Sequence, residues 1–318
     1  MKVVIPGGAG HVGTFLSKAL TEDGHEVVVL SRESRRLPPG VRLVRWDGCT
    51  AGAWTAEVDG SDAVINLAGR SVSCRYTPAN LRAMMSSRVD STRAVGAAIA
   101  RAAAPPRVWL QMSTATIYAH TYGPAQDESG TIGGDEPDVP AYWAYSVDIA
   151  REWEAAQQAA DTPRTRKVAL RTAMVMSTGP GGVFAVLSNM VRLGIGGAVA
   201  GGRQYVSWIH ETDFVRAVRF LLTHDDLSGP VNVAAPAPVP QRELMRALRH
   251  AWRFPIGIPA TRWMAELGAL VLRSDTELLF KSRRVTPGKL SAAGFTFTHP
   301  SWPTAAEELR HRARARSR

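Results

Sequence analysis

Three glycines near the start of the chain restrict its fold more than any other feature. Gly7, Gly10 and Gly13 follow an apolar run of strand length, residues 3–5, and precede apolar residues at helical spacing. This order fits a dinucleotide-binding unit, in which the glycines permit a tight turn, admit a pyrophosphate and let the helix pack on the strand. The helix N-terminus would supply free N–H groups. The predicted phosphate-binding residues are Gly7, Gly10, His11, Val12 and Gly13, and for His11 we expect the backbone N–H rather than the ring to make the contact.

Strand and helix patterns alternate through the first half of the chain. Apolar runs of strand length are found at residues 26–30, 41–46, 62–67, 108–112 and 168–171. Two longer stretches have helical spacing, one from residue 78 to 103 and one through Trp153. This alternation predicts an α/β fold, a Rossmann-type doubly wound parallel sheet with helices on both faces.

The regular alternation ends near residue 173, which divides the chain into two predicted parts. Residues 1–173 form the expected dinucleotide-binding domain. Residues 174–318 contain glycine-rich turns, a helix near 214–222 and mostly helical sequence towards the end. We interpret this second part as a smaller substrate-binding region, and we expect its short apolar run at 231–233 to return to the main sheet as a strand.

The net charge of +10 does not by itself indicate a nucleic-acid partner. Five arginines lie within the last nine residues, so half of the net charge belongs to a basic tail at residues 310–318. We expect this tail to be a frayed, solvated terminus. No helix-turn-helix, zinc or aromatic RNA-binding motif accompanies the charge, and we therefore predict no specific nucleic-acid binding.

The apolar runs and the two cysteines bear on the location of the protein. The longest nearly apolar run, residues 263–272, is far shorter than the ~20 residues that span a bilayer, so we predict no membrane segment. The N-terminus shows no signal-peptide pattern. Cys49 and Cys74 are too few for a disulfide framework and fit reduced thiols. We expect a cytoplasmic monomer or homodimer that acts on a small molecule.

The residues after the second predicted strand indicate which dinucleotide is bound. An NAD-binding protein usually has an acidic residue here, which contacts the ribose 2′-OH. This chain has Ser31 and Arg32 instead. An arginine offers charge-assisted hydrogen bonds to a 2′-phosphate, which an acid would repel. The sequence therefore favours NADP(H), bound at Ser31 and Arg32, with Arg35 and Arg36 as further candidates.

Two further strand ends are expected to line the same ligand, because parallel sheets bind ligands at the carboxyl ends of their strands. Asp47 follows the third predicted strand, where it is expected near the adenine amino group. Leu67, Ala68 and Gly69 follow at the end of the fourth. We include these four residues in the predicted cofactor site.

The chain resembles the extended short-chain dehydrogenase/reductases, and among them the atypical, sugar-nucleotide epimerase-like branch of epimerase family proteins. The resemblance covers nearly the whole length. It is carried by the segments 7–13, 30–32, 46–47, 66–69, 87–93, 153–154, 170–172 and 207–213, and by a C-terminal pattern at 287–300 that is similar to a domain of unassigned function. The resemblance implies NADP(H) as the cofactor, and it implies that Arg88 and Arg171 lie close to it.

The resemblance also implies a Ser or Thr that hydrogen-bonds the substrate oxygen, a Tyr that exchanges its proton, and a Lys four residues after that Tyr. Ser113 and Thr114 follow the fifth predicted strand. Thr114 is the predicted donor, unless its hydroxyl merely caps the strand end. Tyr145 fits the tyrosine best, and Tyr142 is the alternative. Neither has a lysine four residues later, where Ile149 and Ser146 stand.

Three functions fit this incomplete motif. The first is an NADP(H)-dependent oxidoreductase that reduces a carbonyl, or oxidises an alcohol, of a hydrophobic small molecule. The second is an epimerase or dehydratase with tightly bound NADP, which the absent lysine disfavours because the tyrosine must first act as a base. The third is a non-catalytic NADP(H)-binding sensor or partner protein. We predict no metal site and interpret His210 and Asp213 as residues that flank a helix start.

Overall fold

A sheet of seven parallel strands forms the centre of the structure, a computed structural model that describes residues 1–33, 35–137, 139–179, 181–261, 264 and 277–316. The strands are β1 (Lys2–Pro6), β2 (Glu26–Ser31), β3 (Val41–Arg45), β4 (Ala63–Asn66), β5 (Val108–Thr114), β6 (Arg166–Thr172) and β10 (Gly229–Val233). Their order is β10-β6-β5-β4-β1-β2-β3. The direction of winding reverses between β1 and β4, as in a Rossmann sheet, and the predicted fold class is confirmed.

Short strands and ten described helices complete the architecture. The strands β7 (Met174–Met176) and β9 (Trp208–His210) pair in parallel, and β8 (Tyr205–Val206) and β11 (Val239–Pro240) pair antiparallel. The helices are α1 (His11–Glu22), α2 (Thr55–Val58), α3 (Pro78–Arg101), α4 (Ala144–Gln158), α5 (Val183–Arg192), α6 (Glu211–Thr223), α7 (Gln241–Trp252), α8 (Glu277–Phe280), α9 (Gly288–Ala292) and α10 (Trp302–Arg316).

The burial of β1 explains why its sequence is apolar without alternation. Successive side chains of a strand point to opposite faces of the sheet. Val3 and Ile5 are buried in a cluster with residues of α1 and α6, whereas Val4 is buried in a second cluster with residues of α2 and α3. Because both faces are covered by helices, every position of the strand must be apolar.

The second part of the chain completes the sheet that the first part begins. β10 pairs in parallel with β6, with Val231 opposite Leu170, which confirms the strand predicted at 231–233. Phe214 and Leu221 of α6 are fully buried in the cluster that also contains β1. The division at residue 173 stays a prediction, but the core of the sheet includes residues from both sides of it.

The basic tail is helical as far as Arg316, so the prediction of a frayed terminus is wrong over that range. The reason is an apolar face with helical spacing, which packs in a cluster with α5 and α7. The buried residues of this face are Trp302, Ala305, Ala306 and Leu309. Residues 317–318 lie outside the described residues.

Within the described ranges, we find no helix that combines the length and the apolar composition of a membrane span. The apolar run at 263–272 lies outside the described residues, apart from Met264. Cys49 and Cys74 are both free thiols.

Candidate functional site

The glycine turn after β1 is packed too closely for any other residue. Gly7 has a φ of +75°, and a Cβ there would lie 2.6 Å from the backbone of Ala68. A Cβ on Gly13 would overlap the backbone of Gly8. Gly10 is the N-cap of α1, with no side chain capping the helix and no acidic residue in its first turn. The N–H groups of a helix start such as this one, at Val12 and Gly13, point towards the space in which an anion would bind.

His11 also uses its ring, which the sequence analysis did not anticipate. His11 Nε2 and Ser177 Oγ are 2.5 Å apart. A Cβ on Gly182 would lie 2.6 Å from the same nitrogen, and one on Gly179 would lie 2.8 Å from His11 Cε1. The ring thus joins the glycine turn to the loop that precedes α5. The predicted backbone contact with a nucleotide stays a prediction.

Arg32 lies at the carboxyl end of β2, where the sequence analysis placed the 2′-phosphate contact. It is exposed, and within the described part of the chain it makes no hydrogen bond or ion pair. A Cβ on Gly48 would lie 3.9 Å from its Cδ, so the side chain extends towards the loop after β3. Ser31 Oγ donates to the carbonyl of Glu33, and Arg35 Nη2 lies 2.9 Å from Glu33 Oε2. Arg32 is therefore better placed than Arg35 to meet a ligand anion.

Asp47 is held by its own loop. Its carboxylate accepts the backbone N–H of Cys49 and of Thr50, both at 2.9 Å, and the Thr50 hydroxyl. The hydroxyl and these N–H groups lower the pKa of Asp47 to about 2. The carboxylate thus stabilises the turn after β3. If it also contacts adenine, as predicted, the same two oxygen atoms must accept the additional hydrogen bond.

The residues after β4 form the opposite wall of the glycine turn. Leu67 N donates to Pro6 O at 2.8 Å, and Ala68 N donates to Asn66 Oδ1 at 3.0 Å. These bonds hold Ala68 against Gly7. The structure thus brings Leu67, Ala68 and Gly69 beside the predicted phosphate site, as expected for neighbouring strand ends at a reversal of the sheet.

Arg88, predicted near the cofactor, is enclosed by protein groups. Its Nη1 donates to Met84 O and its Nη2 to Arg70 O, both at 3.0 Å. The guanidinium carbon lies 4.9 Å from the centre of the Trp153 ring. Burial lowers the pKa of Arg88 to about 10. These contacts give Arg88 a role in holding the loop after β4 on α3.

Arg171 and Ser113 belong to a buried network. Arg171 donates to both carboxylate oxygens of Glu154 at 2.9 Å, and its Nη1 donates to Tyr118 Oη at 3.0 Å. Ser113 Oγ donates to Glu154 Oε1 at 2.6 Å. Burial would lower the pKa of Arg171, but the hydrogen bonds and charge of the Glu154 carboxylate, with a smaller effect of the Tyr118 hydroxyl, raise it above its usual value. Both predicted site residues therefore fasten α4 to β5 and β6, and this structural role explains them without a ligand.

Thr114 and Tyr145 lie on two segments that pack together. Thr114 Oγ1 accepts the N–H of Thr116 at 3.1 Å and lies 3.1 Å from the Thr116 hydroxyl, so it caps the 3-10 turn Ala115–Ile117. Tyr145 is half-buried in the first turn of α4. Ala115 and Ile117 pack against Val147 and Ala150 of that helix. The capping interpretation of Thr114 is observed, and a role towards substrate stays a prediction.

A buried charged cluster that the sequence analysis missed lies beside this turn. Lys281 Nζ donates to Thr116 O at 3.2 Å and lies 3.6 Å from Glu277 Oε1. Ser146 Oγ donates to the same oxygen at 2.5 Å, and Arg283 Nη2 lies 3.7 Å from it. Burial lowers the pKa of Lys281 to about 8. A cation therefore does lie near the candidate site, but it comes from the C-terminal part of the chain.

The position of this cluster relates to the incomplete motif. Ser146 stands four residues after Tyr142, where the resemblance implied a lysine, and its hydroxyl reaches Glu277 instead. One signal in the sequence could have pointed to this cluster. Lysine is scarce, and Lys281 is one of only five lysines in the chain. Lys167, which follows α4 in sequence, donates to Gln158 O at 3.0 Å at the far end of that helix.

His210, His299 and Glu308 place their side-chain nitrogen and oxygen atoms within 4.8 Å of one another. His210 Nδ1 accepts the N–H of Thr212 and caps α6, and His210 Nε2 lies 2.8 Å from Glu308 Oε2. In the neutral ring, Nε2 then carries the proton and donates it to the carboxylate. A metal ion would need the lone pair at Nε2, so this group is a hydrogen-bonded pair at a helix start. Asp213 accepts the N–H of Thr298 and His299, both at 2.8 Å.

Comparison with known proteins finds relatives along the whole chain. Residues 3–234 match the NAD dependent epimerase/dehydratase family, and residues 260–309 match DUF1731, a domain of unknown function. Epimerase family protein SDR39U1 of Bos taurus is 30% identical over 313 residues, which is 97% of this chain and 99% of the relative. Epimerase family protein ML0860 of Mycobacterium leprae is 30% identical over 300 residues, 93% of this chain and 92% of the relative.

Solved structures extend the comparison. The human epimerase family protein SDR39U1, crystallised with NADPH, superposes with a TM-score of 0.84 at 27% identity and covers 98% of this chain and 99% of that one. UDP-N-acetylglucosamine 4-epimerase from Bacillus cereus has a TM-score of 0.74 at 15% identity, covers 99% of each chain, and so shares the fold alone. The nucleotide in the human structure is the one that Arg32 led us to expect here.

Proposed function

Because the chain belongs to the NAD dependent epimerase/dehydratase family, we propose that it is an NADP(H)-dependent oxidoreductase. It reduces a carbonyl, or oxidises an alcohol, of a hydrophobic small molecule. The observation that carries the proposal is the exposed Arg32 at the carboxyl end of β2, where NAD-binding chains carry an acid, beside a glycine turn that opens α1 without a side-chain cap. The NADPH found in the human relative supports the choice of nucleotide.

The residues present fit such a nucleotide. The backbone N–H groups of His11, Val12 and Gly13 would bind the pyrophosphate. Ser31 and Arg32 would bind the 2′-phosphate. Ala68 and Gly69 line the strand end that faces the glycine turn. When bound, the nicotinamide supplies or accepts a hydride. At Gly7 the backbone of Ala68, and at Gly13 the backbone of Gly8, leave no room for a side chain, so the turn keeps the shape that a nucleotide would need.

The polar groups that act on the substrate lie in the turn after β5 and the first turn of α4. Thr114 donates its hydroxyl proton to the substrate oxygen in place of its bond to Thr116. Tyr145 gives that oxygen a proton on reduction or takes one on oxidation. Ser113 donates its hydroxyl proton to Glu154 and keeps α4 against β5, and its contact with substrate stays a prediction.

The apolar character of the substrate follows from α5 and the loop after it. Val183, Val186, Leu193 and Ile195 are all exposed, with Leu193 reaching 74%. The loop before α5 contacts the glycine turn through His11 and Ser177. The start of α5, with Val183, is therefore near the nucleotide site, and exposed apolar side chains along this segment favour a ligand that covers them. The two free cysteines support a cytoplasmic location as part of the proposal.

The direct test is a screen of hydrophobic ketones and aldehydes that follows the absorbance of NADPH. We expect at least one to be turned over, and turnover to be lost in Thr114→Ala. Thr223→Ala is a matched control, because Thr223 is an exposed threonine at the end of α6. It should leave turnover unchanged.

Two outcomes would replace the proposal. Tight NADPH binding with no turnover of any substrate would favour a non-catalytic binding protein. An epimerase or dehydratase would be favoured by two results together. NADP would co-purify with the protein and not exchange with free NADPH, and an alcohol would be converted without net redox change.

A further inference from the structure

A basic cleft of about 740 Å³ lies between α7 and α10, in the C-terminal part of the chain. Four arginines line it, and these are Arg246, Arg249, Arg253 and Arg310. Two histidines, His250 and His311, add to them, and Glu307 is the single acid among the lining residues that the structure describes. The cleft shares no residue with the glycine turn or with the turn after β5.

Among the described residues that line the cleft, the positive charges outnumber the negative ones. Glu307 Oε1 lies 3.7 Å from His250 Nδ1, so the one acid already faces a cation. Arg310 Nε is buried and has no hydrogen-bond partner within the described residues. Burial and the charges of Arg314 and Arg253 lower the pKa of Arg310. Guanidinium groups that line one cleft repel one another, and an anion between them would relieve the repulsion.

Local structure accounts for only part of this charge. Arg249 and His250 lie in the last turn of α7, where the helix dipole favours cations. Arg249 Nη1 also donates to Gly196 O at 2.7 Å. Arg246 and Arg310 lie inside their helices and have no such reason to be there. Arg253 is held at a φ of +55°, a left-handed conformation that favours glycine, yet the chain has arginine there.

We propose that this cleft is a second ligand site, which binds a small organic phosphate with two or more phosphate groups. Arginine matches phosphate through paired N–H donors, so Arg253 and Arg310 would bind the phosphates between them. Phe254 and Pro255 form an apolar wall beside these arginines, which suits the organic part of the ligand. The volume lies within the ~300–1,000 Å³ range of small-molecule sites.

Calorimetric titration with inorganic pyrophosphate tests the phosphate half of this proposal. It is carried out at about 0.15 M salt, so that diffuse attraction is screened, and with NADPH present, so that the glycine turn is occupied. We expect one site per chain. Arg310→Gln should weaken pyrophosphate binding on the order of 10- to 150-fold, the effect of removing a charged hydrogen-bond donor.

Arg253→Gly separates binding from folding. Glycine adopts a positive φ without strain, so the midpoint of thermal unfolding should not fall, while pyrophosphate binding should weaken as for Arg310→Gln. Arg316→Gln on α10 and Arg242→Gln on α7 are matched controls, since both residues are exposed and lie outside the cleft. Both should bind pyrophosphate as the unchanged protein does.

Titration with phenyl phosphate and with a single-stranded oligonucleotide completes the test. Phenyl phosphate should bind in competition with pyrophosphate. Three results would overturn the proposal: no pyrophosphate binding, equal losses in the control variants, or binding of the oligonucleotide alone.

Discussion

Arg32 decides between two nucleotides that differ by one phosphate. Its guanidinium is exposed and free of protein partners within the described residues, so removing it should disturb little else. Arg32→Ala should weaken NADPH on the order of 10- to 150-fold, the contribution of a charge-assisted contact. NADH affinity should hardly change, because NADH has no 2′-phosphate. Calorimetric titration of both nucleotides measures the two effects.

Arg35→Ala is the control for this experiment. Arg35 has the same charge and lies three residues away, but its guanidinium pairs with Glu33. We expect NADPH to bind this variant nearly as well as the unchanged protein. Equal losses for NADPH and NADH in Arg32→Ala would instead mean that Arg32 has a structural role, and a loss confined to Arg35→Ala would move the phosphate contact to Arg35.

His210 should make the fold sensitive to acid. Burial, followed by the charges of His299 and Arg312, lowers the pKa of His210 to about 3, against about 6.5 in an unfolded chain. Between these pH values the unfolded chain binds the extra proton and the folded protein does not. The free energy of unfolding should therefore fall with decreasing pH from about 6.5 to about 3, by up to about 1.4 kcal/mol per pH unit for this one group.

The measurement is urea unfolding over this pH range for the unchanged protein and for His210→Asn. Asparagine can still cap α6 in place of His210 but does not titrate. The difference between the two proteins should grow as the pH falls. His250→Asn, at an exposed position, should follow the unchanged protein. Parallel curves for His210→Asn and the unchanged protein would contradict the prediction.

Individual residues show where sequence reasoning succeeds and where it stops. The positions of Gly7, Ala68 and Arg32 at strand ends could be predicted, because a parallel sheet brings the ends of its strands together. The partners of Arg171 could not be predicted from the sequence. Its pairing with Glu154 and Tyr118 depends on how α4 packs across β5 and β6, and no spacing in the sequence encodes that contact.

At the scale of elements, α10 shows how charge can hide a pattern. Trp302, Ala305, Ala306 and Leu309 have the spacing of one helix face, and all four are buried. The five arginines of the last nine residues favoured a solvated tail, yet the four that the structure describes occupy other positions of the same helix. The strands of the sheet were easier to predict, since most of them contain a short apolar run of strand length.

Leu309→Ala tests whether α10 is part of the folded body. Leu309 is fully buried among residues of α7, and its truncation should lower the free energy of unfolding by about 2–5 kcal/mol. Arg316→Ala on the exposed side of the same helix should change it by less than about 0.5 kcal/mol. Chemical denaturation of the two variants measures both values. Equal free energies of unfolding for the two variants would mean that the tail is a solvated terminus, as the sequence alone predicted.

At the scale of the whole molecule, the two parts of the chain share one core. β10 covers the outer edge of β6, and α6 covers the face of the sheet that holds Val3 and Ile5. Neither element belongs to residues 1–173. The nucleotide site lies at the ends of strands that the second part helps to hold, which links substrate region and cofactor region in one folding unit.

The fragment of residues 1–173 should therefore not fold as an independent domain. Without α6, the buried face of β1 would be exposed to water, and without β10 the edge of β6 would offer unpaired backbone groups to other chains. We expect the fragment to lack near-ultraviolet circular dichroism, to bind a hydrophobic dye and to aggregate, whereas the whole chain unfolds cooperatively. Limited proteolysis of the whole chain should likewise release no stable half cut near residue 173. A soluble fragment with a cooperative unfolding transition and NADPH affinity would instead make residues 1–173 a true domain and refute the shared core.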